Sequence, residues 1–241
     1  MEVYMYIGID IDGTIAGRNL QTFAAACSER FGFLLPDPSE HQLTYASLMN
    51  HPTMLAHRQA SVEHFHRTLE EIEQAPFLHQ AAPPLRGAVD AVNKLAQYAN
   101  LGYYTVRKAH PPFTAIEIEN ATKNWLSEHQ FPASGQVVFC MSLMNKWLQV
   151  YQHLRVAPEP FILIDDLAPQ LYTAFLQLQA GHHPRLSHQE CVQVTAVLQR
   201  HATLVAFGST PSLAINNDLR VKHLPAWGNV DDFIAMLCAS S

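Results

Sequence analysis

Residues 7–15, Ile7-Gly8-Ile9-Asp10-Ile11-Asp12-Gly13-Thr14-Ile15, hold the stretch on which the fold turns. An apolar run ends in two aspartates two positions apart, and Gly13-Thr14 then opens a turn. On an extended chain residues two apart point to the same side, so both carboxylates can face one pocket at the carboxyl end of a strand. In an open α/β sheet that end is where ligands bind. Two carboxylates this close repel unless a cation or a shared proton intervenes, and hard oxygen donors beside a phosphate suit Mg²⁺. Asp-Gly alone marks a turn. An apolar strand followed by D-x-D-G-T is the sharper pattern, and it makes Asp10 and Asp12 candidate catalytic residues.

Short apolar runs bounded by turn residues recur at 5–10, 101–105, 136–141, 161–165, 203–208 and 220–224. Helical patterns separate most of them. Val89, Val92 and Leu95 share a face in 85–98, as do Ile116, Ile118, Ala121, Trp125 and Leu126 in 115–129, and both segments suit helices that cover a sheet. Strands as continuously apolar as Phe161-Ile162-Leu163-Ile164 indicate burial on both faces, hence a mostly parallel sheet. The expected fold is α/β, a doubly wound parallel sheet with a Rossmann-like core made of residues 1–15 and 85–241. Residues 16–84 break the rhythm, with helical stretches around 20–31 and 52–72 and no strong strand, and are predicted to be a small inserted helical cap. Pro83-Pro84 cannot continue a helix and suits the return crossing, with the outward one near Gly17. Residues 181–201 delay the next strand and predict an additional surface helix. There is no internal repeat.

A chain of 241 residues, 48% hydrophobic, can bury one full core and still supply a small second domain. Charged residues are only 15% and the formal charge is −6, so no basic field exists to hold a phosphate backbone, and nucleic acid polymer is not an expected partner. Four well-separated cysteines, Cys27, Cys140, Cys191 and Cys238, form no C-x-x-C pair and fit a reducing cytoplasm. The first residues lack the basic and apolar regions of a signal peptide, and no apolar run approaches the ~20 residues a membrane span needs. A cytoplasmic protein without membrane partners is expected, and a homodimer stays open.

The sequence DIDGT at 10–14 resembles the first motif of the haloacid dehalogenase superfamily of phosphatases, and the other motifs follow in order. Strand-like LGYYT resembles the second, which implies that Thr105 hydrogen-bonds the transferring phosphoryl group. After QVVFCM, Lys146 in SLMNKW occupies the place of the third, a lysine near a helix start. FILIDD supplies the fourth with Asp165 and Asp166, two acids that are costly at the end of a buried strand without a counter-charge. The resemblance implies a helical cap of the C1 type, Mg²⁺ as cofactor, Asp10 as nucleophile and Asp12 as acid, then base. It implies metal ligation by Asp10, the backbone carbonyl of Asp12, and the Asp165/Asp166 pair. Asp166 is favoured for direct contact, with Asp165 tying Lys146 or a metal-bound water. Lys146 and Thr105 would meet the phosphate, and Arg107 would contact phosphate or hold the cap, a surface arginine being an equal reading.

Residues 83–107, ATKNWLSEHQFP at 121–132, the DDLAP turn and HLPAWGNVDDF at 223–233 are also similar to the 5'(3')-deoxyribonucleotidase group. That likeness implies a small phosphate ester as substrate, with 5'-nucleotides and deoxynucleotides among the candidates. The same four motifs also serve phosphomutases and phosphonatases. From another class, a binding or regulatory module could keep the site without turnover, although intact Asp10 and Asp12 speak against it. Fourteen histidines suggest metal binding, but His64-x-His66 and His182-His183 with His188 lack the spacing and cysteine partners of a zinc site. Tyr45, Phe65 and Phe77 could stack on a base, but residues so placed are more often core.

Overall fold

Six strands pair in parallel: β1 (Tyr6–Ile9), β2 (Asn100–Thr105), β3 (Val137–Phe139), β4 (Phe161–Asp165), β5 (Ala202–Phe207) and β6 (Arg220–Leu224), in the order β3-β2-β1-β4-β5-β6. The computed structural model describes residues 5–35, 43–208 and 219–239. Every residue of β4 and β5 is buried, as their unbroken apolar sequence requires of strands covered on both faces. In register, Ile9 lies beside Tyr103 of β2 and Ile164 of β4, so the residues that follow β1 and β4 emerge side by side. Gly8 permits this packing. A Cβ there would lie 2.9 Å from both the Phe161 and the Tyr104 rings.

The helices are α1 (Leu20–Phe31), α2 (Tyr45–Met49), α3 (Pro52–Ala60), α4 (Val62–Glu73), α5 (Pro76–Ala81), α6 (Ala88–Leu95), α7 (Ala115–Glu128), α8 (Leu143–Val156), α9 (Ala168–Gln179), α10 (His188–His201) and α11 (Val230–Ala239), with a 3₁₀ turn at Trp227–Asn229. α8, α9 and α10 share one apolar cluster through Trp147, Val150, Leu171, Phe175, Cys191 and Leu198. The Trp147 indole N–H donates to the Leu171 carbonyl at 2.8 Å. α6 packs with α11.

The additional helix expected within 181–201 is α10; most of its residues are exposed or half-buried, and Cys191, Val194, Thr195 and Leu198 form its inner face, with Cys191, Val194 and Leu198 in the same apolar cluster as α8 and α9. Its start is fixed by a capping box in which Ser187 accepts from the Glu190 N–H while Glu190 accepts from Ser187.

The chain divides into two compact units. One comprises Met1–Gly17, Pro84–Arg107 and Leu126–Ser241, and contains the sheet; the other comprises Arg18–Pro83 and Lys108–Trp125, and is helical. Phe23, Cys27, Phe31, Met54, Phe65, Leu69 and Ile72 form the apolar centre of the helical unit. Phe65, considered above as a stacking residue, belongs to that centre, while Tyr45 and Phe77 are partly exposed. The helical stretch expected around 52–72 is two helices, α3 and α4, divided at Ser61, whose hydroxyl accepts from the His64 N–H and caps α4. In α7 the apolar face runs through Ile118, Ala121 and Trp125, and Ile116 is exposed. The Trp125 indole donates to the Ala82 carbonyl at 2.7 Å.

Candidate active site

The strand order reverses between β1 and β4, and this is the switch point where an open α/β sheet has room for a ligand. Asp10 directly follows β1, and Asp165 ends β4 with Asp166 next to it. Carboxylate oxygens of these three residues lie within 4.8 Å of one another. Lys146 enters from the first turns of α8, whose start is set by Ser142 accepting from the Asn145 N–H. Its Nζ donates to Asp10 Oδ1 at 2.7 Å and to Asp165 Oδ2 at 2.6 Å, with the side chain 1% exposed.

Desolvation decides the electrostatics. Burial raises Asp10 well above the usual carboxylate range, opposed by Lys146 and reinforced by the Asp165 and Asp12 charges. Burial, with the Asp165 charge, pushes Asp166 up to about 6, against the hydrogen bond from Thr14. For Lys146, burial works against the charged form, but the attraction of Asp10 and Asp165 outweighs it and the net shift is upward. One ammonium thus faces three carboxylates, and the formal surplus of two negative charges matches a divalent cation. All donors are oxygen, which suits Mg²⁺ over a soft metal. Asp165 accepts from Lys146 at Oδ2 and from the Leu167 N–H at Oδ1, the latter at 2.8 Å, so Asp10 and Asp166 are the better placed to offer oxygens to a cation.

Asp166 is oriented by Thr14, which sequence reading took only as part of a turn. The Thr14 hydroxyl donates to Asp166 Oδ1 at 3.2 Å and accepts from the Asp166 N–H at 3.0 Å. The Trp227 indole in turn donates to the Thr14 carbonyl at 2.7 Å. Between Asp12 and Thr14, Gly13 has φ +83°, and a Cβ there would sit 2.6 Å from the Asp166 carboxyl carbon. Glycine is required twice over, for the left-handed backbone and for the carboxylate's approach.

Thr105, at the end of β2, is fully buried. Its hydroxyl accepts from the Arg107 N–H at 3.3 Å, which directs its own proton elsewhere. Arg107 is no surface residue: it is 3% exposed and forks onto Asp12. The Asp12 carboxylate lies on that arginine, apart from the three carboxylates that cluster. The structure therefore joins Asp10, Lys146 and Asp165 through direct hydrogen bonds and places the Asp166 carboxylate within 4.8 Å of those of Asp10 and Asp165, with Asp12 and Arg107 as a second pair. The signals for Thr14 and Trp227 were present in D-x-D-G-T and in HLPAWGN, but both contacts span distant parts of the chain. Among the described residues, no helix is long and apolar enough to cross a membrane.

No family model and no curated protein matches the sequence. Solved structures do match its fold. A haloacid dehalogenase superfamily hydrolase of subfamily IA, variant 1, from Geobacter sulfurreducens is 12% identical, with 97% of each chain covered and a TM-score of 0.54. A haloacid dehalogenase-like hydrolase from Streptococcus pneumoniae is 16% identical over 98% of this chain and all of the other, with a TM-score of 0.51.

Proposed function

We infer, from a haloacid dehalogenase-like fold as the starting point, that the protein is a Mg²⁺-dependent phosphomonoester hydrolase working through an aspartyl-phosphate on Asp10. The observation that carries this reading is the Lys146 ammonium between Asp10 and Asp165, beside Asp166, at the switch point of the sheet. A buried carboxylate so held is positioned as a nucleophile, and the surrounding charge suits an incoming phosphoryl group.

In the proposed reaction an Asp10 oxygen bonds to phosphorus as the bond to the ester oxygen breaks, and Asp12 passes a proton to that leaving oxygen. Water then attacks the acyl-phosphate, Asp12 takes its proton, and Asp10 and orthophosphate are released. Lys146 and the Thr105 hydroxyl hold the phosphoryl oxygens. Asp10, Asp166, the Asp12 carbonyl and Asp165, directly or through water, would hold Mg²⁺, which supplies charge neutralisation between an anionic nucleophile and an anionic ester. Arg18–Pro83, the segment of the helical unit that lies in chain order between β1 and β2, is proposed as a cap of the C1 type. The substrate proposed is a small phosphorylated metabolite, with 5'-nucleotides and deoxynucleotides the first class to test because of the likeness to the 5'(3')-deoxyribonucleotidase group.

A screen of phosphate release over nucleotides, sugar phosphates and simpler esters with Mg²⁺, using Asp10→Asn as control, tests the reading. Covalent phosphate on Asp10 in rapidly quenched wild-type protein supports it. Turnover that survives Asp10→Asn removes it.

A further inference from the structure

Arg107 and Asp12 form an unequal pair. The arginine side chain is 1% exposed and the carboxylate 53%. Nε donates to Asp12 Oδ2 at 2.8 Å and Nη2 to Oδ1 at 2.7 Å. Exposed ion pairs contribute little because both side chains are free to move. Here one partner is fixed, and its two parallel N–H groups set the plane of the carboxylate as well as its place. The arginine backbone is held too, by its N–H bond to Thr105 Oγ1 at the end of β2.

We propose that Arg107 is a positioning residue for Asp12, fixing the carboxylate for both proton transfers, and does not bind the substrate phosphate. This rests on the reading of Asp12 as acid and base given above. In the first transfer Asp12 gives its proton to the ester oxygen as that oxygen leaves phosphorus. In the second it takes a proton from water as the water oxygen bonds to phosphorus and the Asp10–phosphorus bond breaks. Both transfers need a carboxylate oxygen within about 2.6–3.2 Å of the moving proton's other owner. A carboxylate this exposed would otherwise visit that position only part of the time.

The test uses two esters with Mg²⁺ present. p-Nitrophenyl phosphate has a leaving group that departs without a proton, whereas glycerol phosphate needs one. Arg107→Ala is expected to lower kcat on glycerol phosphate by about 100-fold or more, the scale of general acid–base catalysis, with little change in KM. On p-nitrophenyl phosphate the first step is spared and water activation is not, so covalent phosphate on Asp10 should accumulate above the wild-type level in rapid-quench mass spectrometry. Added guanidinium ion should restore part of the rate. Arg107→Lys keeps the buried charge and loses the fork, and it should show the same pattern at smaller size, which keeps the test available if the alanine variant folds poorly.

A KM rise of equal size for both esters with kcat unchanged would assign Arg107 to the substrate phosphate and overturn the inference. Equal loss on both esters, without accumulated phosphoenzyme, would reduce it to a structural role and overturn it as well. If wild-type protein forms phosphoenzyme and the Arg107 variants leave the leaving-group dependence unchanged, only the inference fails. If wild-type protein forms none, the reaction proposed above fails with it.

Discussion

Lys146 meets carboxylates at 2.7 and 2.6 Å inside a site where none of the three groups is more than 8% exposed. Removing such a counter-charge leaves acids that water cannot solvate, so Lys146→Ala is expected to cost about 3–5 kcal/mol in denaturant unfolding. A loss under about 1 kcal/mol would mean that the acids neutralise themselves by taking up protons. Asp10→Asn keeps the shape and should unfold at nearly the wild-type midpoint, with turnover lower by orders of magnitude because an amide forms no acyl-phosphate. Gly13→Ala should lose both stability and activity, since its Cβ and the Asp166 carboxylate require the same space; an alanine variant with wild-type midpoint and rate would show that the loop can move aside. At this scale the legible residues were those whose neighbours in sequence are also their partners in function: D-x-D-G-T, FILIDD, and the lysine at a helix start. Thr14 with Asp166 and Asp12 with Arg107 are pairs 152 and 95 residues apart, and no local pattern announces which distant side chain a threonine or an arginine will meet.

Elements were legible where the apolar pattern was unambiguous. β4 and β5 are continuous runs of buried residues, and that is how they read in the sequence. α10 was harder, because GHHPRLS precedes it and its polar residues outnumber the apolar ones, so only packing reveals that Cys191, Val194 and Leu198 close a layer. Leu198→Ala is accordingly expected to cost about 2–5 kcal/mol, as for a core leucine, where a surface helix would lose almost nothing. A midpoint close to wild type in a urea titration would contradict that packing. The break between α3 and α4 at Ser61 was likewise hidden, because a serine within a helical pattern is as compatible with a solvated position as with a cap.

For the molecule as a whole, a divalent ion that binds only the folded site should raise the melting temperature. At about 100 times its Kd the linkage contributes about 2.7 kcal/mol. Mg²⁺ is expected to stabilise wild-type protein and to leave Asp166→Ala near its metal-free midpoint in differential scanning fluorimetry; an equal shift in both would place the ion elsewhere. The parallel α/β class follows from alternating strand and helix patterns and is legible in the sequence, whereas the strand order β3-β2-β1-β4-β5-β6 is set by pairing between distant segments. The partition into units was less legible, because one helix, α7, contributes Trp125 to the helical unit and Leu126 to the sheet unit. That continuity bears on how the protein can be cut. A deletion running from Arg18 to Pro83, with the ends rejoined, would leave Lys108–Trp125 behind and remove Ala82, whose carbonyl the Trp125 indole uses. Ile118, Ala121 and Trp125 would then be stranded on a half-orphaned helix. Such a truncated chain should precipitate on expression. Trimming that helix back to Leu126 along with the insertion is the excision expected to stay in solution.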